Sequence, residues 1–193
     1  FKGSLHKFYE YCSTNFKQKK DIITYSTKLQ KEIYKKIYPK YFHVDLEYKD
    51  LAKIKQIKEN KSRMYAFYIG TKKRGTFYVN TNIYQELNKH ELLTLTLHES
   101  IPGHHLQLMT HNRDKELPLY IQGSHNTSYC EGWGLYCENF TDLHSDKELV
   151  SKYMYEIHRA VRLVVDTGIH AFNWSYDKCF DYMKKYLHYS DEL

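Results

Sequence analysis

Cysteine and long apolar runs are scarce in this sequence, and each shortage closes off a class of protein. Four cysteines, Cys12, Cys130, Cys137 and Cys179, are too few and too scattered to staple a chain of 193 residues as a disulfide scaffold. Cys130 and Cys137 fall on one face of a predicted helix but about 10 Å apart along it, so reduced thiols are expected. No stretch reaches the roughly 18 apolar residues of a membrane span. Lys2, His6 and Lys7 interrupt the apolar residues at the start, which therefore do not read as a signal peptide. A cytoplasmic location and no membrane partner are expected. Internal repeats and low-complexity linkers are also lacking.

Two details point toward the secretory pathway. The sequence finishes in Ser190-Asp191-Glu192-Leu193, a variant of an endoplasmic-reticulum retention tail, and N-x-S/T sequons occur at Asn60, Asn126, Asn139 and Asn173. With no signal peptide expected, these read as coincidence. The net charge is +6, from 29 Lys and Arg against 23 Asp and Glu. Runs such as Lys17, Lys19, Lys20 and Lys53, Lys55, Lys58, Lys61 carry much of the excess. No aromatic-glycine platform or DNA-reading helix accompanies them, so they read as solvated surface and nucleic acid is not an expected partner.

What is present is enough for a core: 41% of the residues are hydrophobic. Tyrosine supplies much of it, with 20 Tyr against 9 Phe and 2 Trp, which suggests amphipathic helices whose buried phenols find hydrogen-bond partners. Phe1, Leu5, Phe8, Cys12 and Phe16, then Ile22, Tyr25, Leu29, Ile33 and Ile37, repeat at helical spacing until Pro39. Val44, Leu46 and Tyr48 alternate, and Met64–Ile69 and Thr76–Val79 are rich in strand formers on either side of a hairpin loop, Gly70–Gly75. A small antiparallel sheet is predicted between about 40 and 81. From Ile83 onward the pattern is helical, with helices over Trp133–Phe140, Val150–Ala171 and Tyr176–Tyr189. The fold class is α+β, mostly helical, with residues 1–39 a helical segment and 40–193 one continuous region.

The most informative stretch is His98-Glu99-Ser100-Ile101-Pro102-Gly103-His104-His105. Two imidazoles and a carboxylate follow the apolar run Leu92, Leu93, Leu95, Leu97, which would seat them on a dry, rigid wall. A catalytic zinc site needs three protein ligands and an open position, and a Glu directly after the first His can accept a proton from water there. On a regular helix His98 and His104 point to different faces, so the spacing demands a break, which Pro102-Gly103 can provide. His105 is the fallback ligand. A third ligand comes from Glu131 or Glu138. Glu131 is favoured because Gly132 and Gly134 beside it suggest close approach to a neighbouring element.

His98–Gln107, Glu131–Tyr136 and Arg162–His170 together resemble the domain-of-unknown-function family 885, and Gly75–Thr81 resembles the strand ahead of its metal helix. That family is related to glutamate-ligand zinc peptidases, so the resemblance implies a zincin-like fold. It also implies one Zn2+ held by His98, His104 and Glu131, with Glu99 as general base and a peptide substrate. The strand Phe77–Asn80 looks like the edge strand that pairs with the substrate backbone, with Tyr78 and Asn80 as substrate contacts. Members are usually longer, so the chain is expected to be a fragment or a shortened relative. A non-catalytic binding module is the rival reading.

Arg162, Asp166 and His170 are spaced four apart and share a helix face. An ordinary ion-pair ladder would look the same. With the motif and the resemblance, Asp166 becomes a candidate to orient a ligand histidine, His170 or Tyr176 to stabilise an oxyanion, and Arg162 to pair with Asp166 or hold a carboxylate.

Overall fold

The computed structural model describes residues 2–58, 64–71, 74–122 and 126–187. The sequon at Asn60, the centre of the Gly70–Gly75 loop and the Ser190–Leu193 tail lie outside them. The chain divides into two compact units, Thr14–His144 and Phe1–Ser13 with Ser145–Leu193. The junction expected near residue 39 coincides with neither boundary. No described helix is long and apolar enough to cross a membrane.

In the 14–144 unit, α2 (Lys19–Lys36) is followed by the short α3 (Tyr38–Tyr41), then β1 (Lys53–Gln56), β2 (Ala66–Ile69) and β3 (Thr76–Val79). The helices α4 (Glu91–Glu99), α5 (His104–Arg113), α6 (Leu119–Gln122) and α7 (Thr127–Cys137) complete it. α2 packs on α4 and β1, and α4 also contacts β2, α5 and α7. Every residue of α4 is buried, so it is the central helix, surrounded on all sides rather than amphipathic. Ile22, Ile33, Ile37, Phe77, Leu92 and Leu97 fill the core around it.

The sheet is mixed rather than antiparallel. Its order is β1-β3-β2, with β1 parallel to β3 and β2 antiparallel to it. β3 is therefore the central strand and not the expected edge. The alternation at Val44–Tyr48 does not make a strand either. The Tyr38 and Tyr34 hydroxyls donate to the carbonyls of Val44 and Leu46 (2.5 and 2.9 Å), so side chains take the place of a ladder. The helical pattern at Ile83 resolves into turns, with α4 starting only at Glu91. All four cysteines are free.

In the other unit α1 (Leu5–Cys12) packs on α8 (Asp146–Phe172), which packs on α9 (Tyr176–Tyr186). A Ser145–Glu148 capping box starts α8. It ends at Asn173 in the left-handed conformation, φ 51°. A Cβ at Gly168 would sit 2.5 Å from the Trp174 indole, which folds back over it.

His105, in the first turn of α5, is fully buried, and both its nitrogens are committed. A carbonyl can only accept, so Nε2–H donates to the Asp50 oxygen (2.7 Å). Nδ1 then accepts from the Tyr68 hydroxyl at 2.9 Å. Burial, helped by the nearby Arg74 charge, outweighs the hydrogen bond and charge of Asp50 and pushes its pKa down to about 4. Between pH 6.5 and 4 the unfolded chain therefore binds a proton that the folded chain refuses. The stability associated with neutral His105 is full above pH 6.5 and lost toward pH 4, about 3 kcal/mol in all. In urea titrations with chelator present, His105→Gln should show a shallower loss of stability over that window than the parent. Equal slopes would contradict the assignment.

Candidate metal centre

The break between α4 and α5 is tied down from three sides. The Ser100 hydroxyl donates to the Gln30 side-chain oxygen, and Gln30 in turn donates to the Ala52 carbonyl at 3.1 Å. The Trp133 indole N–H donates to the Pro102 carbonyl at 2.9 Å. Gly103 lies so close over the His98 carbonyl that a Cβ there would collide with it. The Ile101–Pro102 peptide is cis. A new helix starts at His104, and its ring comes to 4.7 Å from that of His98, centroid to centroid, at 89°.

α7 brings the third group. Glu131 Oε2 lies 3.6 Å from His98 Nε2, and its Oε1 lies 3.7 Å from His104 Nε2. The three donor atoms all lie within 4.8 Å of one another. Ligands at roughly 2.0–2.1 Å from one tetrahedral ion sit roughly 3.3 Å apart, so the set fits a zinc-sized ion after a small closure. Glu131 is 62% exposed while the two rings are nearly covered, leaving its side open to solvent.

The other nitrogen of each ring is occupied. His98 Nδ1 faces Glu138 Oε1 at 2.7 Å, where Glu138 is 1% exposed. A carboxylate accepts, so Nδ1 carries the proton and Nε2 presents its lone pair to the cluster. His104 Nδ1 donates in the same sense to Gln107 Oε1 at 3.2 Å. Gln107 Nε2 donates to the Tyr129 carbonyl at 3.5 Å. The pKa of His104 is lowered, first by burial and then by the neighbouring His98, which favours the neutral imidazole that a metal requires.

Gly134 explains how α7 comes this near. A Cβ there would lie 2.6 Å from His98 Cε1 and 2.7 Å from Nε2. Gly132 has open space instead, with nothing within 4 Å. Glu99 is the last residue of α4, next to His98 and buried.

The other expected residues sit elsewhere. His105 is no fallback ligand, because Tyr68 and Asp50 hold both nitrogens. Glu138 lies outside the donor cluster: it stands behind His98, on the Nδ1 side, in the place expected of Asp166. Tyr78, on the central strand, stacks on Phe67 at 5.0 Å. Asn80 is fully buried, donating to the Met64 carbonyl (2.9 Å) and accepting from the Asn82 amide (3.0 Å). Both serve the sheet. Arg162, Asp166, His170 and Tyr176 belong to the other compact unit. Within it His170 Nε2 lies 3.6 Å from Asp166 Oδ1, both largely exposed, and Tyr176 is exposed at the start of α9. Gln107 was missed as a supporting residue, although its position three after His104 on a helix is a signal of contact.

A family model described as "Bacterial protein of unknown function (DUF885)" matches residues 1–192. The chain belongs to this family. The match extends well beyond the stretch from 75 to 170 that the motifs span. No curated protein sequence matches. Among solved structures, the chain is similar to one described as a "putative lipoprotein from Colwellia psychrerythraea", with a TM-score of 0.86 at 24% identity. The likeness covers 98% of this DUF885 chain and 35% of that one, so this chain spans about a third of its neighbour's length. At that identity the comparison shows the fold.

Zinc titration against a chromophoric chelator checks the arrangement. Gly134→Ala should lower affinity at least tenfold by displacing the His98 ring. Gly132→Ala should leave it unchanged and stabilise α7 by up to about 1 kcal/mol. Glu138→Gln should weaken zinc binding by roughly 10–100-fold, the range for groups that orient a ligand histidine.

Proposed function

We propose that this DUF885 chain carries the metal centre of a zinc-dependent, peptidase-type hydrolase. The observation that supports it best is the convergence of two Nε2 atoms and one carboxylate, each ring held from behind by a different partner. Surface His–Glu pairs do not need such backing, whereas metal ligands commonly have it.

His98, His104 and Glu131 would hold the ion. When bound, zinc supplies Lewis acidity, acidifying a water and polarising a carbonyl. The rest is work for the chain. Glu99, a buried carboxylate one residue from His98, accepts the proton of the attacking water and passes it to the leaving amine. Glu138 and Gln107 keep His98 and His104 in the tautomer that donates through Nε2. The solvent-open side of Glu131 leaves room for substrate. The backbone-pairing role expected of β3 passes to β2, an edge of the sheet that packs against α4. The reading rests on residues of the 14–144 unit alone.

The decisive comparison is Glu99→Gln with the parent chain, each loaded with one equivalent of zinc and offered a peptide library. Metal content should be equal by elemental analysis, while cleavage falls by about 10²–10⁴-fold, the usual worth of a positioned proton-transfer group. Zinc bound by both, with no cleavage by either, would leave a non-catalytic binding module as the function.

A further inference from the structure

We propose that the groove between α5 and α7 binds aliphatic or aromatic side chains of the substrate, selecting peptides with such a residue beside the cut. The inference rests on the peptidase reading and adds the substrate class. The groove encloses about 570 Å³ and is walled by Phe42, Leu106, Leu117, Ile121 and Trp133 among others. That volume falls within the range of small-ligand sites, roughly 300–1,000 Å³, which are likewise apolar with a few polar groups.

Three observations link the groove to the metal centre. Gln107 lines it and also accepts the hydrogen bond from His104 Nδ1. Tyr129 and Cys130 line it, and the next residue along α7 is Glu131. Trp133 lines it and holds the Pro102 carbonyl of the α4–α5 break. A chain lying across the ligands thus has an apolar recess within the same two helices. The apolar surface continues outward, for Leu119, Tyr120 and Tyr129 are 84%, 75% and 65% exposed.

Charge narrows the choice of occupant. Among the described residues no lysine or arginine lines the groove, and Asp114 is its one carboxylate. In a chain of net charge +6, that makes it a recess where an acidic side chain meets the like charge of Asp114 and finds only His111 and uncharged donors in place of a permanent cation. Burying its charge there costs more than burying an apolar group of similar size.

The test reads binding apart from turnover. Fluorescence anisotropy would compare labelled hexapeptides differing at one position, Phe, Leu or Asp, on the full chain with chelator present. The Phe and Leu peptides should bind at least tenfold tighter than the Asp peptide. Leu117→Asp and Ile121→Asp, two variants at partly exposed positions, should each abolish the preference, and Glu99→Gln should keep it. If the preference holds but the zinc-loaded chain cuts nothing, the groove stands and the peptidase reading falls. If the loaded chain cuts peptides without apolar preference, or both groove variants keep it, the groove proposal falls and the peptidase reading stands. No binding of any peptide up to about 1 mM would also overturn it.

Discussion

The turn from Ser100 to Gly103 is the constraint on which the candidate centre depends. Two imidazoles six positions apart would point in different directions on a continuous helix, and the turn cancels that divergence by ending α4 and restarting the chain as α5. Its position is set by packing from α2 through Gln30 and from α7 through Trp133. The backbone pays for the tight passage with a glycine at 103, where no side chain fits. The groups that fix the turn are thus distinct from the groups that face the cluster.

A second layer of control is protonic. A histidine can present either nitrogen, and a cluster of donors needs both rings to present the same one. Glu138 and Gln107 settle this with different chemistry, a buried carboxylate for His98 and a neutral amide for His104. The neighbouring His105 shows the contrasting outcome. Its nitrogens are spent on Asp50 and Tyr68, and it serves packing.

How much of this was legible beforehand depended on whether the signal was local. Helical periodicity located α2, α9 and most of α8, because an apolar stripe needs only near neighbours in sequence. The Pro-Gly break between two histidines and the glycine at 134 were local signals too, whereas Gly132 meets no neighbour. Strand order was not, since nothing within Lys53–Gln56 says it will lie parallel to Thr76–Val79. The alternation at Val44–Tyr48 misled because distant tyrosine hydroxyls took the carbonyls. Glu138 was visible as an acid near the site, but spacing cannot tell a group that faces the cluster from one that stands behind it. The four-residue ladder of Asp166 and His170 correctly marked a neighbouring pair, without saying what the pair does.

The burial of α4 on every side carries one last implication. A helix without a wettable face has no independent existence in water; its nine residues are ordered only while α2, α5, α7 and the sheet surround them. His98 and Glu99 ride on that helix. Any breathing motion that lets solvent reach α4 therefore dismantles the donor cluster at the same moment, and amide exchange along Leu92–Leu97 should be among the slowest in the unit.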